Sequence, residues 1–269
     1  MPPTWSFITV TYNSARTLRR FWERERPADV EWIVVDNGST DESVTTAESL
    51  GARVIRIGGN IGFSAANNRG LEVAEGRYIG FANPDVAVDW ATLSDLQKTI
   101  DETRGLVSPQ LLNSDGSLQP NGRGAPLLAH KVLNRLSRQP RKNGYQVLAA
   151  AGERRDVFWL IGAVILGSAD TLRSLGGWNE RFFLYYEDKD ICIRAWRNEL
   201  SVTLDGRARW THGWARETTT FKIMPWVREF RSMATFYSLY PELLFGGRAV
   251  SRKHPRAAMA SGRLSASSG

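Results

Sequence analysis

A single cysteine, Cys192, leaves this 269-residue chain without any intrachain disulfide framework. It suits a reducing cytoplasm, where a buried thiol serves as a small apolar side chain. No basic stretch followed by an apolar one opens the chain, and the longest nearly apolar run, Val157 to Ala169, is too short to span a bilayer. The expectation is a cytoplasmic protein that is soluble or peripheral at the inner face of the cell membrane. Internal repeats are missing. So is the dinucleotide-binding fingerprint: Gly58-Gly59-Asn60-Ile61-Gly62 has a different glycine spacing and follows the third strand, which removes most support for hydride transfer. Beyond Gly246 there is no acidic residue, only Arg248, Arg252, Lys253, Arg256 and Arg263 among small and apolar side chains, a pattern expected to stay unstructured.

What is present suffices for a sizeable core, since 42% of residues are hydrophobic and 10% aromatic. The net charge of +7 favours anionic partners. Nucleic acid is not expected among them, because the basic tail lacks the aromatic interleaving of a stacking platform.

The first third alternates in type. Trp5 to Thr11, Trp32 to Asp36, Arg53 to Ile57 and Tyr78 to Ala82 read as strands. Ala15 to Glu25, Glu42 to Leu50 and Ser64 to Val73 read as helices, with Ser39-Thr40-Asp41 available to cap the second. Such alternation specifies a parallel sheet covered on both faces. Further on, regular structure is expected to resume at Asp156 to Leu166, with helices over Ile191 to Asn198 and Pro225 to Tyr240. A loop or lid from Asp115 to Arg155 carries an amphipathic segment, Pro126 to Arg138.

Ligands of parallel sheets sit at the carboxyl ends of strands, where Tyr12-Asn13, Asp36-Asn37 and Asn83-Pro84-Asp85 fall. The Tyr12 ring can stack on a pyrimidine while Asp36 or Asn37 reads its imide edge; ordinary turn chemistry accounts for the same residue types. The Gly58 to Phe63 run opens a helix presenting Asn67 and Asn68. That entry can approach a phosphate closely, or it is simply a helix start with polar packing. Asp85, with diphosphate oxygens and waters, is an adequate site for Mg2+ or Mn2+, against the plainer reading of a polar turn.

Glu187, Asp188 and Asp190 crowd a helix start, where capping explains one or two of them. Asp188 and Asp190 face differently, so one carboxylate is free to take a proton from an acceptor hydroxyl. His212, in Trp210-Thr211-His212-Gly213-Trp214, is either a structural histidine or a second ligand to a cation at Asp85.

In order, Thr9-Val10-Thr11-Tyr12-Asn13, Val34-Val35-Asp36-Asn37-Gly38-Ser39-Thr40-Asp41, Asn60-Ile61-Gly62-Phe63-Ser64-Ala65-Ala66-Asn67-Asn68, Asn83-Pro84-Asp85 and Tyr186-Glu187-Asp188-Lys189-Asp190 resemble family 2 glycosyltransferases. The likeness is greatest to the bacterial rhamnosyltransferase-like branch, and it spans Trp5 to Thr220. It implies the GT-A fold, an α/β domain with a mostly parallel central sheet flanked by helices. This is one globular domain of two intimate halves: residues 1–98 for the nucleotide-sugar and 99–245 for the acceptor and catalysis, followed by a basic tail, 246–269.

The resemblance further implies a divalent cation, Mg2+ or Mn2+, and an inverting transfer from dTDP-rhamnose or a UDP-sugar to a saccharide or polyprenyl-linked saccharide in cell-envelope polysaccharide assembly. Residue by residue, Tyr12, Asn13, Asp36 and Asn37 would line the base pocket, and Asn60, Gly62 and Asn67 would lie near the nucleotide. Asn83 and Asp85 would meet the donor, with Asp85 and His212 on the cation; Asp188 would be the base, beside Glu187. Many relatives carry an aspartate where this chain has Asn83, which also admits an inactive nucleotide-sugar-binding scaffold. The segment with Arg123, Lys131, Arg135, Arg138, Arg141 and Lys142, interleaved with Leu127, Leu128, Val132 and Leu136, can rest on an anionic membrane or form a solvated loop.

Overall fold

The computed structural model describes residues 2–129, 145–213 and 223–260. Strands β1 (Trp5–Thr11), β2 (Val30–Asp36), β3 (Arg53–Arg56) and β4 (Tyr78–Ala82) alternate with helices α1 (Ala15–Trp22), α2 (Ser43–Ser49) and α3 (Phe63–Val73), following the sequence pattern closely. β1 pairs in parallel with β2 and β4, and β2 with β3. Successive side chains of a strand enter opposite core layers. Trp5, Phe7, Trp32 and Val34 therefore fill one layer, and Ile8, Ile33 and Val35 the other. In the first layer Trp22 of α1 stacks on Trp32 with centroids 4.5 Å apart, and each such buried aromatic contributes about 2–3 kcal/mol. In the second, α3 lies close enough to β1 that a Cβ on Gly70 would stand 2.4 Å from Ile8 Cγ2, which only glycine avoids.

The chain continues with β5 (Val86–Ala87), α4 (Leu93–Thr103), β6 (Leu106–Leu112), β7 (Gly122–Arg123), β8 (Gln146–Val147), β9 (Arg154–Asp156), β10 (Trp159–Leu160) and β11 (Val164–Ser168). Helices α5 (Ala169–Ser174) and α6 (Glu187–Arg197), strand β12 (Val202–His212) and helix α7 (Ile223–Leu239) follow. The main sheet has the order β3-β2-β1-β4-β11-β6-β12-β5, with β9 also on β12. β11 runs antiparallel between β4 and β6, and β12 is parallel to β6. The sheet is thus mostly parallel and continuous across both halves.

The regular structure expected to resume at Asp156 to Leu166 consists of three short strands. β9 pairs with β12, β10 joins a separate sheet ordered β10-β7-β8, and β11 returns to the main sheet. No local pattern marks these crossings, because each partner is distant in sequence.

Residues 248–260, expected to be unstructured, form α8 (Arg248–Lys253) and α9 (Pro255–Ala260). Val250 and Ala257 are fully buried. The buried Glu242 carboxylate receives His254 Nε2 at 2.6 Å, Lys253 Nζ at 3.2 Å and Arg197 Nη2 at 3.3 Å. Charge composition suggested a solvated tail, but one buried acid anchors its basic residues to α6. Arg263 lies outside the described residues, as do Lys131, Val132, Arg135, Leu136, Arg138, Arg141, Lys142 and Trp214, so most of the Pro126 to Arg138 segment falls there too. Among the described residues no helix is long and apolar enough to cross a membrane.

Candidate active site

The carboxyl ends of β1, β2, β4, β6 and β12 open onto one edge of the sheet, and a cavity of about 620 Å³ lies there. Its wall includes Tyr12, Asn37, Asn60, Gly62, Asn83, Asp85, Glu187 and His212, which the topology draws from both halves.

Asp85 and His212 meet for a local reason. Val86 N donates to Asn83 O at 3.1 Å across the Asn83-Pro84-Asp85 turn, and Pro84 supplies the fixed φ such a turn favours at its second position. β5 then pairs antiparallel with the end of β12, His212 opposite Val86, and Gly213 N donates to Asp85 O at 2.7 Å. The result puts His212 Nε2 3.3 Å from Asp85 Oδ1.

The other ring nitrogen decides what that contact is. Gln119 Nε2 donates to Asn113 Oδ1 at 2.9 Å, leaving Gln119 Oε1 to accept from His212 Nδ1–H at 2.7 Å. In neutral His212 the Nε2 lone pair therefore faces a carboxylate oxygen. Two lone pairs so close repel unless a proton or a cation lies between them. Neighbouring ligands on an octahedral Mg2+, with bonds of about 2.1 Å, stand about 3 Å apart. The pair fits such a cation on both chemistry and spacing. Among the described residues no group of three or more His, Cys, Asp or Glu side chains converges, so the remaining ligands would be waters and substrate oxygens.

Across the cavity, Tyr185 (φ 70°) and Tyr186 (φ 73°) both adopt left-handed backbone just before α6. For tyrosine this costs of the order of 1–2 kcal/mol each. Tyr186 is locked by ring contacts with Phe236 and Tyr237, and the strained pair turns Glu187 into the cavity wall. Glu187 is buried, and its Oε2 has no hydrogen-bond partner. Burial first, then the neighbouring Asp188 charge, pushes its carboxyl up to about 8.

Asp188 is differently engaged. Its Oδ2 accepts from Gly162 N at 3.2 Å, while Oδ1 accepts from Lys189 N at 2.9 Å and Lys189 Nζ at 3.2 Å. Burial opposes the Lys189 charge, but Asp188 and nearby tyrosines outweigh it and raise the ammonium, which also sits 4.0 Å from the Trp159 ring centroid. Asp188 is absent from the cavity wall among the described residues, whereas its neighbour Glu187 is part of it. Asp190, the third acid of the cluster, is taken up by Arg194 at 2.7 Å and Tyr240 Oη at 2.8 Å.

At the opposite end Tyr12 is half exposed beside Asn37 and Asn60. Asn37 Oδ1 accepts from Ile61 N at 2.9 Å and its Nδ2 donates to Asn60 Oδ1 at 3.2 Å, tying the glycine run to β2. Gly62 adopts φ 93°, and a Cβ there would lie 2.7 Å from Phe183 O, so only glycine allows this loop to meet the segment before α6. Three expected pocket residues instead support the walls. Asn13 Oδ1 accepts from Thr40 N at 2.8 Å, Asp36 accepts from Ser39 N at 3.2 Å, and buried Asn67 donates to Phe63 O at 3.0 Å. Asp41, read as a cap for α2, accepts from Ser43 N and from Ala15 N, holding the starts of two helices together.

Sequence reasoning missed Gln119, Gly162, Phe183 and Arg228 in the wall and placed Arg123 in a segment that could rest on a membrane or form a solvated loop; Arg123 lines the cavity. Leu127 is buried and Leu128 packs against the core, which leaves neither free to face a membrane. Only long-range pairing reveals these positions. The Gln119-Asn121 polar pair, buried in a glycine- and proline-rich stretch, was the one available signal.

The model described as "Glycosyl transferase family 2" matches residues 6–162. The N-acetylglucosaminyl-diphospho-decaprenol L-rhamnosyltransferase of Mycobacterium tuberculosis is 30% identical over 209 residues, 68% of this chain and 67% of that protein. Among solved structures, the mannosyltransferase PcManGT from Pyrobaculum calidifontis, in complex with GDP-Man and Mn2+, superposes with a TM-score of 0.61 at 16% identity, covering 96% of this chain and 70% of that one. S. aureus TarS superposes with a TM-score of 0.56 at 20% identity over 81% of this chain, which spans only 37% of TarS. The architecture is that of the GT-A glycosyltransferases.

Proposed function

This chain belongs to glycosyl transferase family 2, and we propose that it is a metal-dependent inverting hexosyltransferase. In this reading it moves rhamnose from dTDP-rhamnose, or a sugar from a UDP-sugar, to a saccharide linked through diphosphate to a polyprenyl lipid, in cell-envelope polysaccharide assembly. The name of the mycobacterial relative supports the donor sugar and the acceptor class. The observation that carries the reading is a single cavity lined both by the Asp85–His212 pair and by the buried Glu187.

Residues 1–98 would then hold the nucleotide-sugar and 99–245 the acceptor. Tyr12 would stack on the base, with Asn37 and Asn60 offering amide groups to it and the ribose. Asp85 and His212 would hold Mg2+ or Mn2+, with Asn83 beside them. When bound, the cation supplies positive charge against the departing diphosphate.

Glu187 is the proposed base, since a base must reach the hydroxyl before its pKa matters, and a carboxyl near 8 is well matched to neutral solution. Its carboxylate takes the acceptor's proton as the acceptor oxygen forms a bond to the anomeric carbon. The bond from that carbon to the diphosphate oxygen breaks on the opposite face, and one displacement inverts the configuration. Asp188, expected from the sequence to be the base, becomes a positioning residue that fixes the start of α6 through Gly162 and Lys189. Calorimetric titration with dTDP, UDP, GDP and their sugars, with and without Mn2+, tests the donor reading. Tight, Mn2+-dependent binding of a pyrimidine nucleotide-sugar is expected, and cation-independent binding would remove the role given to Asp85.

A further inference from the structure

Two arginines reach the same cavity without a carboxylate. Arg123, on β7, is mostly buried, donates through Nη1 to the carbonyls of Pro120 and Gly122, and stands 6.0 Å from the Trp159 ring centroid. Arg228, on α7, lies 4.4 Å above the Phe183 ring. Both line the cavity, and among the described residues neither forms an ion pair, whereas Arg194, Arg197 and Arg207 each do. A guanidinium withdrawn from water with no counter-ion is costly, and its planar fork matches phosphate oxygens. Carbonyl groups and ring faces satisfy part of each cation, and the nearby Asp188 charge offsets the burial of Arg123 only in part.

Each cation also borders an element that leads to the proposed base. Arg123 shares the Trp159 ring with Lys189, the ion-pair partner of Asp188, which places it near the start of α6. Phe183, beneath Arg228, belongs to the segment leading into Glu187. Both arginines therefore flank the wall that presents the proposed base.

We propose that Arg123 and Arg228 form a second anion-binding pole that takes the diphosphate carried by the acceptor, while the Asp85–His212 pole serves the donor. The proposal rests on the reading above only for the identity of the carrier. The pole makes the linking diphosphate, rather than the saccharide alone, a recognised part of the acceptor. It also sets the distance between that diphosphate and the hydroxyl that reaches Glu187.

Calorimetry with inorganic pyrophosphate in EDTA tests the pole without turnover. Wild type and Asp85→Ala are expected to bind alike, and Arg228→Gln at least tenfold more weakly. Among the described residues Arg228 has only a ring contact to lose, so the fold is expected to survive its replacement. Arg123→Lys keeps the buried charge but not the fork and is expected to fall between them. Binding that requires Mn2+ and vanishes in Asp85→Ala, or that is unchanged in Arg228→Gln and Arg123→Lys, overturns the pole.

A second titration identifies the carrier. With Mn2+ and saturating nucleoside diphosphate, geranyl diphosphate should still bind, and Arg228→Gln should weaken it. Its exclusion by the nucleoside diphosphate would assign the arginines to the donor and overturn the proposal. Chelator-phase binding in a protein that transfers no sugar would support the pole while sinking the proposed function.

Discussion

His212 Nε2 stands 3.3 Å from Asp85 Oδ1, and Gln119 Oε1 holds the opposite ring nitrogen at 2.7 Å. The glutamine selects the tautomer, and in the proposed function that tautomer lets the pair serve as cation ligands. Gln119→Leu is therefore expected to weaken Mn2+ affinity by about 10–100-fold. His212→Ala should weaken it at least as much. Mn2+ titration followed by electron paramagnetic resonance measures both; equal affinity in Gln119→Leu and wild type would reduce Gln119 to a packing role.

Glu187→Gln should lower turnover by about 10²–10⁴-fold with donor affinity preserved, because it removes the proton acceptor and no donor contact. Activity of the wild type should rise with pH toward a limb near 8, where Glu187 loses its proton. Asp188→Asn removes one of the charges that raise Glu187 and should move that limb to lower pH with substantial activity left. Full activity in Glu187→Gln together with an inactive Asp188→Asn would return the base role to Asp188.

The same carboxyl predicts a stability profile. Its folded value lies above the ordinary 4.5, so between about 4.5 and 8 the native state holds a proton that the unfolded chain has lost. This contribution to stability is complete below 4.5 and is lost as pH rises through 8. Glu187→Gln should be stabilised relative to wild type on the alkaline side, on the order of a few kcal/mol, and little changed near pH 4. Thermal denaturation at pH 4, 6 and 8.5 checks the trend, and a constant difference across the three would contradict it.

Removing residues 247–269 should destabilise the protein rather than trim a loose end. The cut strips His254 and Lys253 from buried Glu242 and exposes the surface covered by Val250 and Ala257. Breaking a buried ion pair costs about 3 kcal/mol, or roughly 6–12 °C in melting temperature for a domain of this size. An unchanged melting temperature would show that α8 and α9 do not dock.

The first four strands were legible because each is a short β-branched and aromatic run bounded by helix signals, and β1, β2 and β3 pair with strands adjacent in sequence. Asp85 and His212 were legible through motif and spacing. Their convergence needs β5 to pair with β12, more than a hundred residues away, which no local pattern encodes. Gln119 and Arg123 stayed hidden for the same reason, in a stretch whose glycine and proline content reads as loop although β7 pairs with β10. The tail misled through composition, since neither Glu242 nor the cluster it organises stands out from the surrounding charge. Glu187 and Asp188 were found together, and only the left-handed backbone at Tyr185 and Tyr186 separates the one in the wall from the one held by Lys189.

The central claim is sugar transfer in a cavity shared by a cation pair and a buried acid. Mass spectrometry of a reaction containing the purified protein, dTDP-rhamnose, Mn2+ and N-acetylglucosaminyl-diphospho-polyprenol measures it directly. A product heavier by one deoxyhexose, of inverted anomeric configuration by NMR, and missing with Asp85→Ala or Glu187→Gln, is the predicted result. Binding of pyrimidine nucleotide-sugars with no product from dTDP- or UDP-sugars, or equal product from both variants, would contradict it.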